Sequence, residues 1–228
     1  MDKFALIIPA AGSGSRLNTE TPKPFIEIAG KTILEHTLSK FFILERLSKI
    51  IVATSSGYLE KVEELISDDI PQGKTLKVIE GGSERQHSIY NALQHIGNCE
   101  YVIVHDAVRP FVKEEHIEQC CNTASEMGAS VLGVKAKDTI KRTSENDLIE
   151  ETPSRSNLWQ AQTPQTFKSS ILVEAYEAAR KDNFVGTDDA SLVERLGYPV
   201  KMVEGDRMNF KITYPLDLKL ARQLFEEN

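Results

Sequence analysis

The chain has 228 residues, of which 40% are hydrophobic and 27% charged, and carries a formal net charge of −7. That length suits one sizeable α/β domain, and the acidic balance argues against a non-specific nucleic-acid binder, which needs a basic face to release counterions. Cys99, Cys120 and Cys121 are odd in number and lack CxxC spacing, which speaks against a disulfide framework or a zinc site.

No apolar run reaches membrane-spanning length, and Asp2 and Lys3 directly before a strand do not make a signal-peptide layout, so a cytoplasmic chain is expected. The first strand, Phe4 to Pro9, runs into Ala10-Ala11-Gly12-Ser13-Gly14-Ser15-Arg16. Glycines let successive backbone N–H groups converge on phosphate oxygens, and Arg16 and Lys23 can neutralise what the amides only partly balance. Leu17 stands where a dinucleotide fingerprint wants its third glycine, and no Walker pattern is present. Pro22 and Pro24 flank Lys23, which predicts an extended loop rather than a continuing helix.

Strands and helices then alternate, the signature of a sheet layered by helices on both faces. A helix is predicted over Thr32 to Phe42, a strand over Lys49 to Thr54, a helix over Tyr58 to Ile66 and a strand over Leu76 to Glu80. Gly81-Gly82-Ser83-Glu84-Arg85-Gln86-His87-Ser88 follows, opening a helix predicted over Ser83 to Ile96. This segment reads either as a plain helix start or as close backbone approach to a flat ligand, a pyrimidine base met by backbone groups and the Ser88 hydroxyl.

The strand Tyr101 to His105 leads into Asp106-Ala107-Val108-Arg109-Pro110. Ligands sit at the carboxyl ends of strands in open α/β sheets, so Asp106 is placed to hold a divalent cation such as Mg²⁺, or simply to cap a helix. Arg109 can bind a phosphate or pair with a carboxylate. A helix over Glu114 to Met127 and a strand over Ser130 to Lys135 come next. The polar stretch Ala136 to Ala161 breaks the alternation: Thr139 to Thr143 and Asp147 to Glu150 read as two strands around Ser144-Glu145-Asn146. It is either a solvated hairpin or one stabilised by pairing with another subunit.

Thr163-Pro164-Gln165 adds polar groups before a helix over Ser169 to Arg180. Gly186-Thr187-Asp188-Asp189-Ala190-Ser191 is a good N-cap sequence for a helix over Asp188 to Leu196. A strand over Val200 to Val203 follows, then an alternating, strand-like run Asn209 to Thr213 that carries Lys211. A last helix spans Pro215 to Phe225, with its proline in the first turn.

Together, A-A-G-S-G-S-R with P-K-P-F, G-G-S-E-R-Q-H-S, V-H-D-A-V-R-P-F, T-P-Q-T-F, T-D-D-A-S and N-F-K-I-T-Y-P-L-D-L are collinear from about Phe4 to Leu218. They resemble the cytidylyltransferase family that makes 4-diphosphocytidyl-2-C-methyl-D-erythritol. The resemblance implies a single Rossmann-like nucleotidyltransferase domain of three layers, with a protruding β-arm at about residues 136–157 that joins a homodimer. It implies a Mg²⁺-dependent reaction of CTP with 2-C-methyl-D-erythritol 4-phosphate in the non-mevalonate isoprenoid pathway, with pyrophosphate as the other product.

By the same resemblance Arg16, Lys23 and Lys211 carry the catalysis, Asp106 holds the metal, and Ala10, Ala11, Gly12, Gly14, Gly82, Ser83 and Ser88 hold the nucleotide. The substrate site falls to Asp106 together with Arg109, Thr139, Arg155, Thr163 and Thr187, the last five forming the methylerythritol phosphate site, with Thr139 and Arg155 reaching in from the other subunit's arm. Ser83 stands where many relatives carry an acidic residue, and Pro24 where glutamine is common. A pentitol-phosphate cytidylyltransferase, such as the ribitol 5-phosphate enzyme, shares the fold and the CTP half and is the nearest alternative.

Overall fold

In the computed structural model, residues 2–12 and 21–227 are described. The chain opens with β1 (Phe4–Pro9), the small hairpin β2 (Glu27–Ile28) and β3 (Lys31–Thr32), then α1 (Ile33–Ser39), β4 (Leu47–Thr54), α2 (Leu59–Ile66), β5 (Thr75–Glu80), α3 (Arg85–Leu93) and β6 (Tyr101–Val104). The second half runs α4 (Glu114–Met127), β7 (Ala129–Lys135), β8 (Arg142–Thr143), β9 (Ile149–Glu151), β10 (Trp159–Lys168), α5 (Ser169–Lys181), α6 (Asp189–Arg195), β11 (Lys201–Glu204) and α7 (Pro215–Glu226).

Among the described residues the main sheet has the order β11-β7-β10-β6-β1-β4-β5. β1 lies parallel to both β4 and β6, β4 to β5, and β7 to β11, whereas β10 runs antiparallel between β6 and β7. Strand periodicity sorts the core into two layers. Phe4, Leu6, Ile8, Ile50 and Val52 face α1, α2 and α4 through Leu34, Leu38, Val62, Ile117 and Cys121. Ala5, Ile7, Ile51, Ala53 and Val104 face α3, α5 and α6 through Ile89, Leu93, Leu172, Ala175 and Val193. Both faces being covered explains why β1 reads as an unbroken apolar run. This is the three-layer α/β arrangement expected.

Helix ends follow their local chemistry. Thr32 and Glu35 form a capping box at α1, Asp188 and Ser191 another at α6, and Gly128, at φ 88°, closes α4 in the left-handed region that glycine tolerates. A third apolar cluster, Ile26, Ile28, Ile33, Val108, Ile212 and Ala221 with Phe111, Phe210 and Phe225 packed against it, clamps α7 and the chain before it over the Lys23 segment.

Four readings of the sequence need correction. Lys23–Phe25 is a single 3-10 turn, not an extended loop: proline has no N–H to lose at the start of a helical turn, and Ile26 N–H still reaches the Lys23 carbonyl. Asn209 to Thr213 pairs with no strand and follows an irregular path fixed by the Ile212 N–H bond to the Val108 carbonyl. Thr163-Pro164-Gln165 lies within β10, a strand the polar composition concealed. Its register with β7 slips between Ala161 and Gln165, which accommodates a proline in an interior strand. The hairpin is shorter than expected, β8 and β9 pairing only over Arg142–Thr143 and Ile149–Glu151, with Asp147 at φ 59° in its turn.

Candidate active site

The carboxyl ends of β1, β5 and β6 open onto one cavity of about 510 Å³, where a doubly wound sheet holds ligands. Its walls include Ala10, Ala11 and Gly12 after β1, Gly82, Ser83 and Ser88 after β5, Asp106 after β6, and Lys23 and Lys211 from the segments clamped by α7. All the nucleotide-loop and base-pocket residues expected from sequence except Gly14 thus meet one space with the expected cations Lys23 and Lys211. Gly14 and Arg16 lie outside the described residues.

The glycine pair has a reason the sequence did not disclose. A Cβ on Gly81 would lie 2.6 Å from Ala11 Cβ and 2.8 Å from Ser88 Oγ, and one on Gly82 would lie 2.3 Å from His87 Cβ. The close approach is therefore to the protein's own chain. Ser88 is buried, and its hydroxyl accepts from Gly82 N–H at 3.0 Å and donates to the Glu84 carbonyl at 3.1 Å, which ties the loop to the start of α3. Ser83 is exposed and hydrogen-bonds His87 Nδ1 at 2.9 Å.

Asp106 is the electrostatic centre. It is 6% exposed, yet three cations surround it. Arg85 Nε donates to Oδ1 at 3.1 Å, while Lys211 Nζ and Arg109 Nε approach Oδ2 at 3.0 and 3.3 Å. Burial by itself would raise its pKa, but Arg85, Lys211 and Arg109 outweigh that and hold the carboxyl well below the usual carboxylate range. Arg109 is anchored in turn by donating Nη1 to the Asn209 carbonyl at 2.8 Å. Lys23 is 7% exposed and donates Nζ to the Thr213 carbonyl at 2.7 Å.

Thr163 and His105 form a buried support beneath Asp106. His105 Nε2 lies 3.1 Å from the Arg109 carbonyl, which can only accept, so Nε2 carries the proton and Nδ1 accepts from Thr163 Oγ1 at 3.1 Å. The same Thr163 oxygen accepts from the Asp106 backbone N–H at 3.0 Å. Burial pushes the His105 pKa down to about 4, so the ring is neutral at pH 7. Thr163 and Arg109 contact Asp106 without lining the large cavity.

Thr187 is exposed and borders a smaller cavity of about 210 Å³ with Asp188, Asp189 and Arg85. Thr139 and Arg155 stand apart from both cavities of this chain: each is exposed, and Arg155 Nη1 donates to the Lys137 carbonyl at 2.8 Å at the root of the arm.

Sequence reasoning missed Arg85 and Asp189. Arg85 places Nη1 and Nη2 on the two Asp189 oxygens at 3.1 and 2.8 Å, and Asp189, fully buried, also accepts from the Tyr176 hydroxyl. Burial works against the charge on Arg85, but Asp189 and Asp106 more than offset it and raise its pKa. Only Asp189 gave a signal, and its capping motif absorbed it.

A sequence profile of the 2-C-methyl-D-erythritol 4-phosphate cytidylyltransferase family matches residues 4–227. A protein of that name from Geobacillus kaustophilus is 42% identical over 222 residues, covering 97% of this chain and 96% of the relative. One from Bacillus cytotoxicus is 45% identical over 218 residues, covering 96% of each. Among solved structures, 4-diphosphocytidyl-2C-methyl-D-erythritol synthase from Anaerococcus prevotii superposes with a TM-score of 0.88 at 28% identity, covering 99% of this chain and 96% of that one. The 2-C-methyl-D-erythritol 4-phosphate cytidylyltransferase of Thermus thermophilus gives 0.79 at 34% identity, covering 99% and 100%.

Proposed function

The chain belongs to the 2-C-methyl-D-erythritol 4-phosphate cytidylyltransferase family, and from that premise we infer that it transfers CMP from CTP to 2-C-methyl-D-erythritol 4-phosphate, releasing pyrophosphate, in isoprenoid biosynthesis. The observation that carries this reading is the meeting of Lys23, Lys211 and Asp106 in one cavity with the Ala10-Ala11-Gly12 and Gly82-Ser83 backbones.

In the reaction an acceptor phosphate oxygen attacks the α-phosphorus of CTP. A new P–O bond forms as the bond to the bridging oxygen of the leaving pyrophosphate breaks. The attacking phosphate is already ionised at neutral pH, so no general base is needed. The protein's work is to align two anions and offset the charge that collects on the α-phosphoryl group and the leaving group. Lys23 and Arg16 hold the triphosphate, and Lys211 lies at the α-phosphate. Ala10, Ala11, Gly12, Gly14, Gly82, Ser83 and Ser88 shape the base and phosphate loop, Ser88 through the backbone it organises. Arg109, Thr163 and Thr187 serve the acceptor end.

The donor chemistry suits magnesium. Asp106 lines the cavity with a hard carboxylate whose oxygens are paired with Arg85, Arg109 and Lys211, so an ion would bind there in place of one of those cations, Lys211 being the most exposed of them. One carboxylate is enough for Mg²⁺, which fills its shell with water and substrate phosphates. Such an ion would supply positive charge to the triphosphate.

Thr139 and Arg155 act in the site of a second copy, and residues of about 136–157 form the dimerisation arm of a single nucleotidyltransferase domain. The exposure of Leu148 and Ile149 on that arm supports this. No helix among the described residues is long and apolar enough to cross a membrane, which is compatible with a cytoplasmic enzyme. The test is pyrophosphate release from CTP with 2-C-methyl-D-erythritol 4-phosphate and, separately, with ribitol 5-phosphate. Turnover with the first acceptor at least tenfold above the second is expected, and the reverse preference would refute the assignment.

A further inference from the structure

Arg85 has no role in that reaction scheme, yet its side chain joins the two ends of the site. It opens α3, directly after the loop that carries Gly82 and Ser83, and it lies in the walls of both cavities. One edge of its guanidinium grips both oxygens of Asp189, and Nε reaches Asp106 Oδ1. Asp189 belongs to the first turn of α6, next to Thr187 and Asp188, whereas Asp106 follows β6. A planar fork bound on two sides fixes the distance and angle between those two carboxylates.

We propose that Arg85 is a positioning residue for cytidylyl transfer: locked by Asp189, it holds Asp106 in place and couples the Thr187–Asp189 turn at the acceptor end to the nucleotide end. The inference rests on the cytidylyltransferase reading. Neutralising Asp189 alone would need only one edge of the guanidinium, and the contact to Asp106 is the additional element.

The partners of Asp106 differ in freedom. Lys211 has a side chain 39% exposed and ends in a point charge on a flexible stem, so it can turn from Oδ2 to an incoming phosphate. Arg85 cannot follow without leaving the buried Asp189 carboxylate uncompensated, a costly state. Asp106 therefore keeps its orientation while Lys211 changes partner. That arrangement gives Arg85 an effect on turnover without direct contact with the reacting atoms.

The test compares full-length wild type with Arg85→Lys, Asp189→Asn and the double variant. Turnover, KM for each substrate, CTP affinity by calorimetry without acceptor, and thermal midpoints are measured. Wild-type turnover of CTP with 2-C-methyl-D-erythritol 4-phosphate checks the underlying reading, and its absence would remove that reading rather than this one. Arg85→Lys keeps the charge and loses the fork, so kcat should fall about 100-fold, the scale of a misplaced reacting group. CTP affinity should stay within about threefold of wild type, because the cations of the triphosphate grip are intact.

Asp189→Asn should lower kcat about tenfold, and the double variant should be no slower than Arg85→Lys, since both changes act through one contact. A purely structural role predicts a lower midpoint with unchanged kcat per folded molecule and independent, multiplicative effects. Either result would overturn the proposal. Should Arg85→Lys fail to fold, Asp189→Asn decides: wild-type kcat in its folded fraction also overturns it, and the tenfold loss sustains it.

Discussion

Replacing Asp106 by Asn removes one negative charge and keeps the shape, so its cost can be worked from the three ion pairs. Breaking a fully buried pair by deleting one partner costs about 3–5 kcal/mol. Here Arg85 retains Asp189, and Lys211, 39% exposed, can turn to water, so only Arg109, 12% exposed, is left poorly compensated. A net loss of about 2 kcal/mol is expected, which in a chain of this size lowers the thermal midpoint by about 4–8 °C.

The pH dependence has a definite sign. The folded-state pKa of Asp106 is depressed by Arg85, Lys211 and Arg109 against the opposing effect of burial. Its contribution is thus complete above the unfolded value of about 4 and declines as pH falls toward the folded one. Thermal or urea unfolding of both proteins at pH 7 and pH 3 should show the gap between them shrinking by about 1 kcal/mol at the lower pH. Equal stability at pH 7, or a gap that widens in acid, would refute the charge-cluster account. Turnover of the variant should fall by about two to three orders of magnitude, as for loss of one preorganised electrostatic group.

Lys23→Ala should also reduce kcat by about two to three orders of magnitude, and wild-type turnover in a folded variant would dismiss its place on the triphosphate. Chelation with excess EDTA should abolish pyrophosphate release and added Mg²⁺ should restore it, whereas undiminished turnover in chelator would remove the metal from the scheme. Ile149→Asp, on an arm where Ile149 is 62% exposed, should convert a dimer to a monomer in light scattering; an unchanged dimer would show that the arm is not the interface.

The sheet and its helices were legible because their signals are local. A short continuous apolar run placed β1 at Phe4–Pro9 with both ends correct, and the 3.6-residue period gave α4 its full span of Glu114–Met127. β10 escaped because its buried positions are polar: Gln165 bridges Asp188 Oδ2 and the Ala190 N–H, Gln162 reaches the Asp206 carbonyl, and Thr163 binds His105. Each partner lies far along the chain, so no window of sequence shows that these groups are satisfied. Lys211 was found as a residue but misplaced in a strand, because its position depends on Ile212 and Phe210 packing into a cluster assembled from distant segments. Arg85 stands within the G-G-S-E-R-Q-H-S motif, but nothing in that run discloses its partners Asp106 and Asp189, which lie far along the chain.

The acidic balance of the whole chain and the cationic character of its site are reconciled at the cavity. Lys23, Arg85 and Lys211 line it with three positive charges and Glu84 and Asp106 with two negative ones, which leaves a surplus of one among these described residues. A site so nearly balanced does not repel itself when empty. The Thr213 carbonyl holds Lys23 and Asp106 holds Lys211, so both ammonium groups already stand in the cavity wall. Groups that must be exchanged are the exposed ones, Lys211 foremost, while those that must stay, Arg85 and Arg109, are tied to Asp189 and to the Asn209 carbonyl. Net charge thus argues against a general affinity for nucleic acid, while the cavity keeps a small positive surplus of its own.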